Sequence, residues 1–110
     1  MAEPSYLGEL EHMVLLAVLR RADEAYGKGV RDELRGRVGR SVSRSAAYIT
    51  LERLVEKGYL VSRMGEPTGL RGGKAKRFYA VTPEGLEALK VAGRAFQDLW
   101  AGHEALLEES

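Results

Sequence analysis

Hydrophobic and polar positions alternate along this chain in four helix-length blocks and two short strand-like runs. In residues 6–21, Leu7, Leu10, Val14, Ala17 and Val18 recur at helical spacing, and Leu15 and Leu16 widen the stripe. So broad an apolar face predicts a first helix buried against more than one neighbour. Residues 28–38 predict a second helix with Val30, Leu34 and Val38 inward. Gly29 and Gly36 weaken it, so its stability must come from packing. Tyr26, in the connector, reads as an anchor for its ring, with a partner for its hydroxyl. Residues 43–58 carry the clearest signals. Ser43 offers an N-cap, Ala47, Leu51, Leu54 and Val55 form one face, and Lys57-Gly58 is a stop. The opposite face presents Arg44, Ser45, Tyr48, Glu52, Arg53 and Glu56.

The pattern then changes period. Residues 59–64 and 76–82 read as strands, with Arg77, Tyr79 and Val81 on one face of the second. Between them, residues 65–75 hold Pro67, Gly69, Gly72 and Gly73, a loop composition. Thr82-Pro83-Glu84 opens a last helix with a cap, a proline at the first position and an acid at the positive end. Its stripe of Leu86, Leu89, Gly93, Phe96, Trp100, His103 and Leu107 predicts one helix over 83–108. Such a rod outruns a three-helix core and calls for a partner, most simply a second copy of the chain.

The expected fold is therefore mainly α with a small β-hairpin: a winged helix-turn-helix over residues 1–82, then a long C-terminal dimerisation helix over 83–110. A helix-turn-helix places its second helix as reader, with the first turns against base edges. This makes Ser43, Arg44, Ser45, Tyr48 and Thr50 the candidate base or phosphate contacts. Arg53, further along, is a candidate that also has Glu52 and Glu56 within pairing distance in sequence. The wing adds Arg71, Lys74, Lys76 and Arg77 as phosphate or minor-groove contacts. Leu89, Gly93, Phe96, Trp100, His103 and Leu107 are the candidate dimer interface.

Charge sharpens this picture. The 110 residues carry a net +1, but residues 20–77 hold 15 Lys+Arg against 7 Asp+Glu, a local +8. Residues 1–19 carry −3 and residues 78–110 carry −4. A basic middle between acidic flanks predicts one polyanion-binding surface. The absence of cysteine excludes disulfides and thiolate metal sites. No run approaches the ~20 apolar residues of a membrane span, and no signal peptide is expected. A cytoplasmic protein without a cofactor follows as the expectation. The two histidines stand far apart, and no carboxylate pair has a catalytic or metal-ligand spacing, so an enzyme is not expected. The glycine-rich loop lacks GxxxxGK[ST] and leads into no helix, which argues against nucleotide binding.

Several strings, in order, resemble the PadR family of bacterial transcriptional regulators. They are Leu7-Gly8-Glu9-Leu10-Glu11, Ala25-Tyr26-Gly27, Ser43 to Tyr48, Leu51-Glu52-Arg53-Leu54 and Glu56-Lys57-Gly58. Gly65-Glu66-Pro67-Thr68, Arg71-Gly72-Gly73-Lys74, Arg77-Phe78-Tyr79 and Thr82-Pro83-Glu84-Gly85 continue the series. The resemblance implies a winged helix-turn-helix homodimer on double-stranded DNA, usually a repressor at a pseudo-palindromic operator. It also implies the smaller architecture, with a single C-terminal helix. Ser45 and Ala47 depart from the family's habit of glycine and a larger aliphatic residue before the helix tyrosine. Some members respond to small aromatic or hydrophobic effectors, for which Phe96 and Trp100 are the candidate slot. The alternative is a winged-helix protein-interaction module that does not bind DNA.

Overall fold

The computed structural model describes residues 7–66 and 75–109. In chain order it contains α1 (Glu9–Arg21), a 3₁₀ turn (Ala22–Glu24), α2 (Gly27–Val38), α3 (Arg44–Glu56), β1 (Leu60–Met64), β2 (Arg77–Val81), α4 (Pro83–Trp100) and a short α5 (Ala105–Glu108). The expected boundaries hold within a few residues except at the C-terminal end.

Val14, Leu15 and Val18 of α1 form the centre of the core. Val30 and Leu34 of α2, Leu51 and Leu54 of α3, Leu60 of β1, Tyr79 of β2 and Leu89 of α4 close around them. Each fully buried aliphatic side chain contributes ~1.5–3 kcal/mol, so this cluster carries the fold. Val38, expected inward, is instead exposed at the last turn of α2. There α2 has already passed the end of the core, and the chain turns away through Gly39.

The start of α1 is tied to the end of α3 by a half-hidden charge cluster. Glu11 accepts the Gly8 N–H at 2.9 Å, and the Lys57 ammonium lies 2.9 Å from both carboxylate oxygens. Burial pushes the Glu11 carboxyl up, but the Lys57 and Gly8 hydrogen bonds and the charges of Lys57 and Arg53 outweigh it. The net result lies below the usual glutamate value.

The wing is an antiparallel pair in the register Leu60↔Val81, Val61↔Ala80, Ser62↔Tyr79, Arg63↔Phe78 and Met64↔Arg77. A lone two-stranded hairpin is marginal in water. This one is anchored at its base, where the Tyr79 N–H donates to the Ala25 carbonyl at 2.8 Å and Tyr26 bridges to Phe78. Tyr26 thus anchors through its backbone and its ring, which meets Phe78 edge-on at 5.5 Å.

The last helix stops at Trp100, short of the expected 108. At 1.5 Å per residue its 18 residues span about 27 Å. Ala101 leaves the helical region (φ −52°, ψ 127°) and Gly102 takes φ +86°, a left-handed conformation that glycine enters without cost. The Gly102 N–H then donates to Glu104 at 2.9 Å, and the chain restarts as α5. The break takes His103 and Leu107 out of phase with the α4 stripe. At its other end α4 starts as the sequence predicts: Thr82 Oγ1 accepts the Gly85 N–H at 3.0 Å, and Pro83 is the first helical residue. Gly85 packs directly against the Tyr59 carbonyl, where a Cβ would collide.

Candidate nucleic-acid interface

Helix α3 presents its first two turns to solvent. Ser43 caps it, its hydroxyl accepting the Ala46 N–H at 3.1 Å. Arg44, Ser45, Tyr48 and Arg53 are exposed beside it. The cap stiffens the segment that a reader helix uses, since a free N-terminal turn frays.

Thr50 is a correction to the expected contact set. It is only 5% exposed, and its hydroxyl donates to the Ala46 carbonyl at 2.8 Å. It sits three positions past Ala47 and one before Leu51, so it shares their inward face. Ile49 takes the outward place, 56% exposed between Ser45 and Arg53. An aliphatic residue there offers apolar contact of the kind that thymine methyl groups accept. Its phase, outside the Ala47–Leu51–Leu54 stripe, was the signal for it in the sequence.

The wing and the reader are joined. The Tyr79 hydroxyl donates to Glu52 Oε2 at 2.9 Å, across from β2 to α3. Burial pushes the Tyr79 phenol far up, and the hydrogen bond and charge of Glu52 push it further. The tyrosine therefore stays protonated and remains the donor. Glu52 is consumed by this contact, and Arg53 pairs with neither Glu52 nor Glu56 in the described hydrogen bonds and ion pairs.

Between α2, α3 and β2 lies an open cleft of about 330 Å³ lined by Tyr26, Lys28, Arg31, Arg44, Tyr48 and Arg77 among others. Lys76 closes one side, its ammonium 4.3 Å from the centre of the Tyr26 ring. Arg77 donates to the Ser62 hydroxyl at 3.1 Å, and Arg31 to the Val42 carbonyl at 3.2 Å, holding the turn that leads into α3. Helix α2 begins at this cleft with no side-chain cap on its free N–H groups and no acid in its first turn. Its positive dipole end adds to the cations. Lys28 and Arg31 were absent from the sequence-based set, because their nearness to Arg44 and Arg77 depends on how α2 crosses α3. The structure thus brings Arg44, Tyr48, Lys76 and Arg77 to one surface. Arg71 and Lys74 lie outside the described residues.

The profile of the "Transcriptional regulator PadR-like family" matches residues 15–91, from mid-α1 through the wing and into α4. The chain belongs to the PadR-like family of transcriptional regulators. Solved structures agree on the winged-helix fold. A PadR family regulator from Eggerthella lenta is similar at 27% identity and a TM-score of 0.68, over 93% of this chain and 88% of that one. One from Clostridium difficile gives 17% identity and a TM-score of 0.70, over 91% and 99%. PadR of Bacillus subtilis, solved in complex with operator DNA, gives 23% identity and a TM-score of 0.62 over 74% of this chain. The match spans 45% of that longer protein. No curated protein matches the chain. Among the described residues no helix is long and apolar enough to cross a membrane.

In this PadR-like chain the expected dimer residues fall into two groups. Leu89 is buried in the chain's own core, and Trp100 is half-buried. Gly93, Phe96, His103 and Leu107 are exposed. Phe96 stacks on His12 of α1 with ring centres 6.1 Å apart, which marks where α4 crosses α1.

Proposed function

We propose that the chain is a homodimeric, sequence-specific DNA-binding regulator, acting as a repressor in the cytoplasm. Residues 1–82 bind DNA, and residues 83–110 pair the two copies. The observation that carries this reading is the joined surface of α3 and β2, with Arg44, Tyr48, Lys76 and Arg77 around one cleft. Ser43, Arg44, Ser45, Tyr48, Ile49 and Arg53 face the major groove. Lys28, Arg31, Lys76 and Arg77, with Arg71 and Lys74 from the wing loop, meet phosphates. The operator complex of the Bacillus subtilis protein, which shares the fold, supports the DNA half of the reading. The exposed apolar residues of α4 support the pairing half.

The test is a mobility shift against fragments of the source genome, followed by the salt dependence of the tightest fragment. Three to five phosphates per chain give a dimer slope of about −5 to −9 in log K against log salt. A protein that shifts no fragment, or binds with a flat slope, refutes the reading and favours the interaction module. A second reading, an aromatic effector held by Phe96 and Trp100, is favoured by the 56% exposure of Phe96 one turn from Trp100. Trp100 is the only tryptophan, so its emission reports such binding directly.

A further inference from the structure

The cleft between α2, α3 and β2 has two unlike halves. Its rim is cationic: Lys28, Arg31, Arg44, Lys76 and Arg77 line it, and no aspartate or glutamate is among its described lining residues. Most of these cations are already engaged. Lys28 pairs with Asp32 at 2.9 Å, Lys76 rests on the Tyr26 ring, Arg77 donates to Ser62 and Arg31 to the Val42 carbonyl. Arg44 makes no hydrogen bond or ion pair among the described residues. The floor is apolar, formed by the buried Leu51 and Tyr79, with the rings of Tyr26 and the 54% exposed Tyr48 as walls. A duplex lying on α3 offers this cleft only its sugar-phosphate edge, because its bases are paired and stacked inward. Phosphates then meet the rim and leave the floor unfilled. The volume of about 330 Å³ falls at the lower end of ligand pockets, ~300–1,000 Å³, which combine apolar and aromatic walls with a few placed polar groups. Walls of low dielectric bearing one sign of charge also focus the field on an anion inside.

We propose that this cleft binds a free nucleoside phosphate, its base on the Tyr48 ring above Leu51 and its phosphate on Arg44, Lys76 and Arg77, and that this ligand and DNA exclude each other. The exclusion rests on the DNA reading above; the ligand site does not. The cleft selects its ligand in two halves. Its aromatic wall is filled by a planar ring, and every base has a π-face, so stacking here accepts any base. Its guanidinium groups match phosphate oxygens two at a time, a match that an uncharged nucleoside forgoes. Arg44 and Tyr48 stand in the first turns of α3, so a nucleotide in the cleft occupies side chains that the DNA reading assigns to the operator. The site is separate from the glycine-rich loop 65–75. Side chains and not a backbone cradle hold the phosphate, so the lack of a GxxxxGK[ST] pattern does not bear on it.

Isothermal titration of the full chain, without DNA, compares adenosine monophosphate, adenosine and inorganic phosphate. The monophosphate is expected to bind at least tenfold tighter than either part. Arg44→Ala and Tyr48→Ala each weaken it at least fivefold, while Tyr48→Phe keeps the parent value. Arg37→Ala, which removes an exposed cation outside the cleft, leaves binding unchanged. The same titrant is expected to displace a labelled DNA fragment identified by mobility shift. A monophosphate that binds no tighter than inorganic phosphate overturns the proposal, as does binding that ignores Arg44→Ala and Tyr48→Ala. Either result leaves the DNA reading in place. Monophosphate binding by a protein that shifts no DNA refutes that reading and leaves the ligand site standing. Binding that fails to displace the DNA overturns the exclusion.

Discussion

Tyr79→Phe isolates the contact that holds the wing to the reader helix. The substitution keeps the ring, which is 4% exposed in the core, and removes only the hydroxyl 2.9 Å from Glu52 Oε2. A hydrogen bond to a charged group is worth ~1.5–3 kcal/mol, and Glu52 is half-buried, so water replaces part of what is lost. The expected cost is therefore ~1–2 kcal/mol. For a domain of this size that lowers Tm by ~4–16 °C. Thermal unfolding followed by circular dichroism measures it. DNA affinity separates positioning from simple charge. In Tyr79→Phe the wing loses its tie and affinity falls. In Glu52→Gln the amide oxygen still accepts from Tyr79, while a negative charge leaves the surface proposed to meet DNA, so affinity rises or holds. Opposite directions support the latch. Tyr79→Phe with unchanged Tm and affinity refutes the reasoning.

Other consequences follow from the same structure. Gly85→Ala forces a methyl group into the Tyr59 carbonyl and is expected to cost ~1–3 kcal/mol in denaturant unfolding, against ~1 kcal/mol for loss of the cap in Thr82→Ala. Glu11 has a native pKa below its unfolded value of ~4.3, so its stabilisation is complete above that value and disappears as pH falls through the lowered native one. Glu11→Gln should accordingly be less stable than the parent at pH 7, with the gap closing in acid; a gap that widens below pH 4 contradicts the sign. Thr50→Val leaves operator affinity within about twofold of the parent, while Arg44→Ala costs about five- to 150-fold, the ~1–3 kcal/mol of a direct contact. Binding titrations on one fragment compare the two, and a large loss in Thr50→Val would return that residue to the contact surface.

Much of the fold was legible because local signals agreed with each other. Ser43 caps α3, Thr82 caps α4, and Gly58 takes φ +81° after Lys57, each as its sequence context predicts. The failures share a cause. Val38 continued the inward stripe of α2, but the core ends one turn earlier. The 83–108 stripe suggested one rod, yet a glycine at 102 ended it, because a spacing pattern does not register the low helical propensity of a single residue. Thr50 counted as a contact by its place in a reader helix, although its phase put it beside Leu51.

By itself, the order of residues determined the helices, the hairpin, the caps and the basic character of the middle segment. These depend on neighbours within a few positions, whose spacing and chemistry are explicit in the chain. Only the tertiary structure decided which cations share a surface, that Tyr79 reaches Glu52, and that Arg20 and Arg21 of α1 reach Glu33 of α2. Those pairings join residues 12 to 27 positions apart through the angles at which helices and hairpin pack. The angles are set by the whole core at once, and no local pattern encodes them.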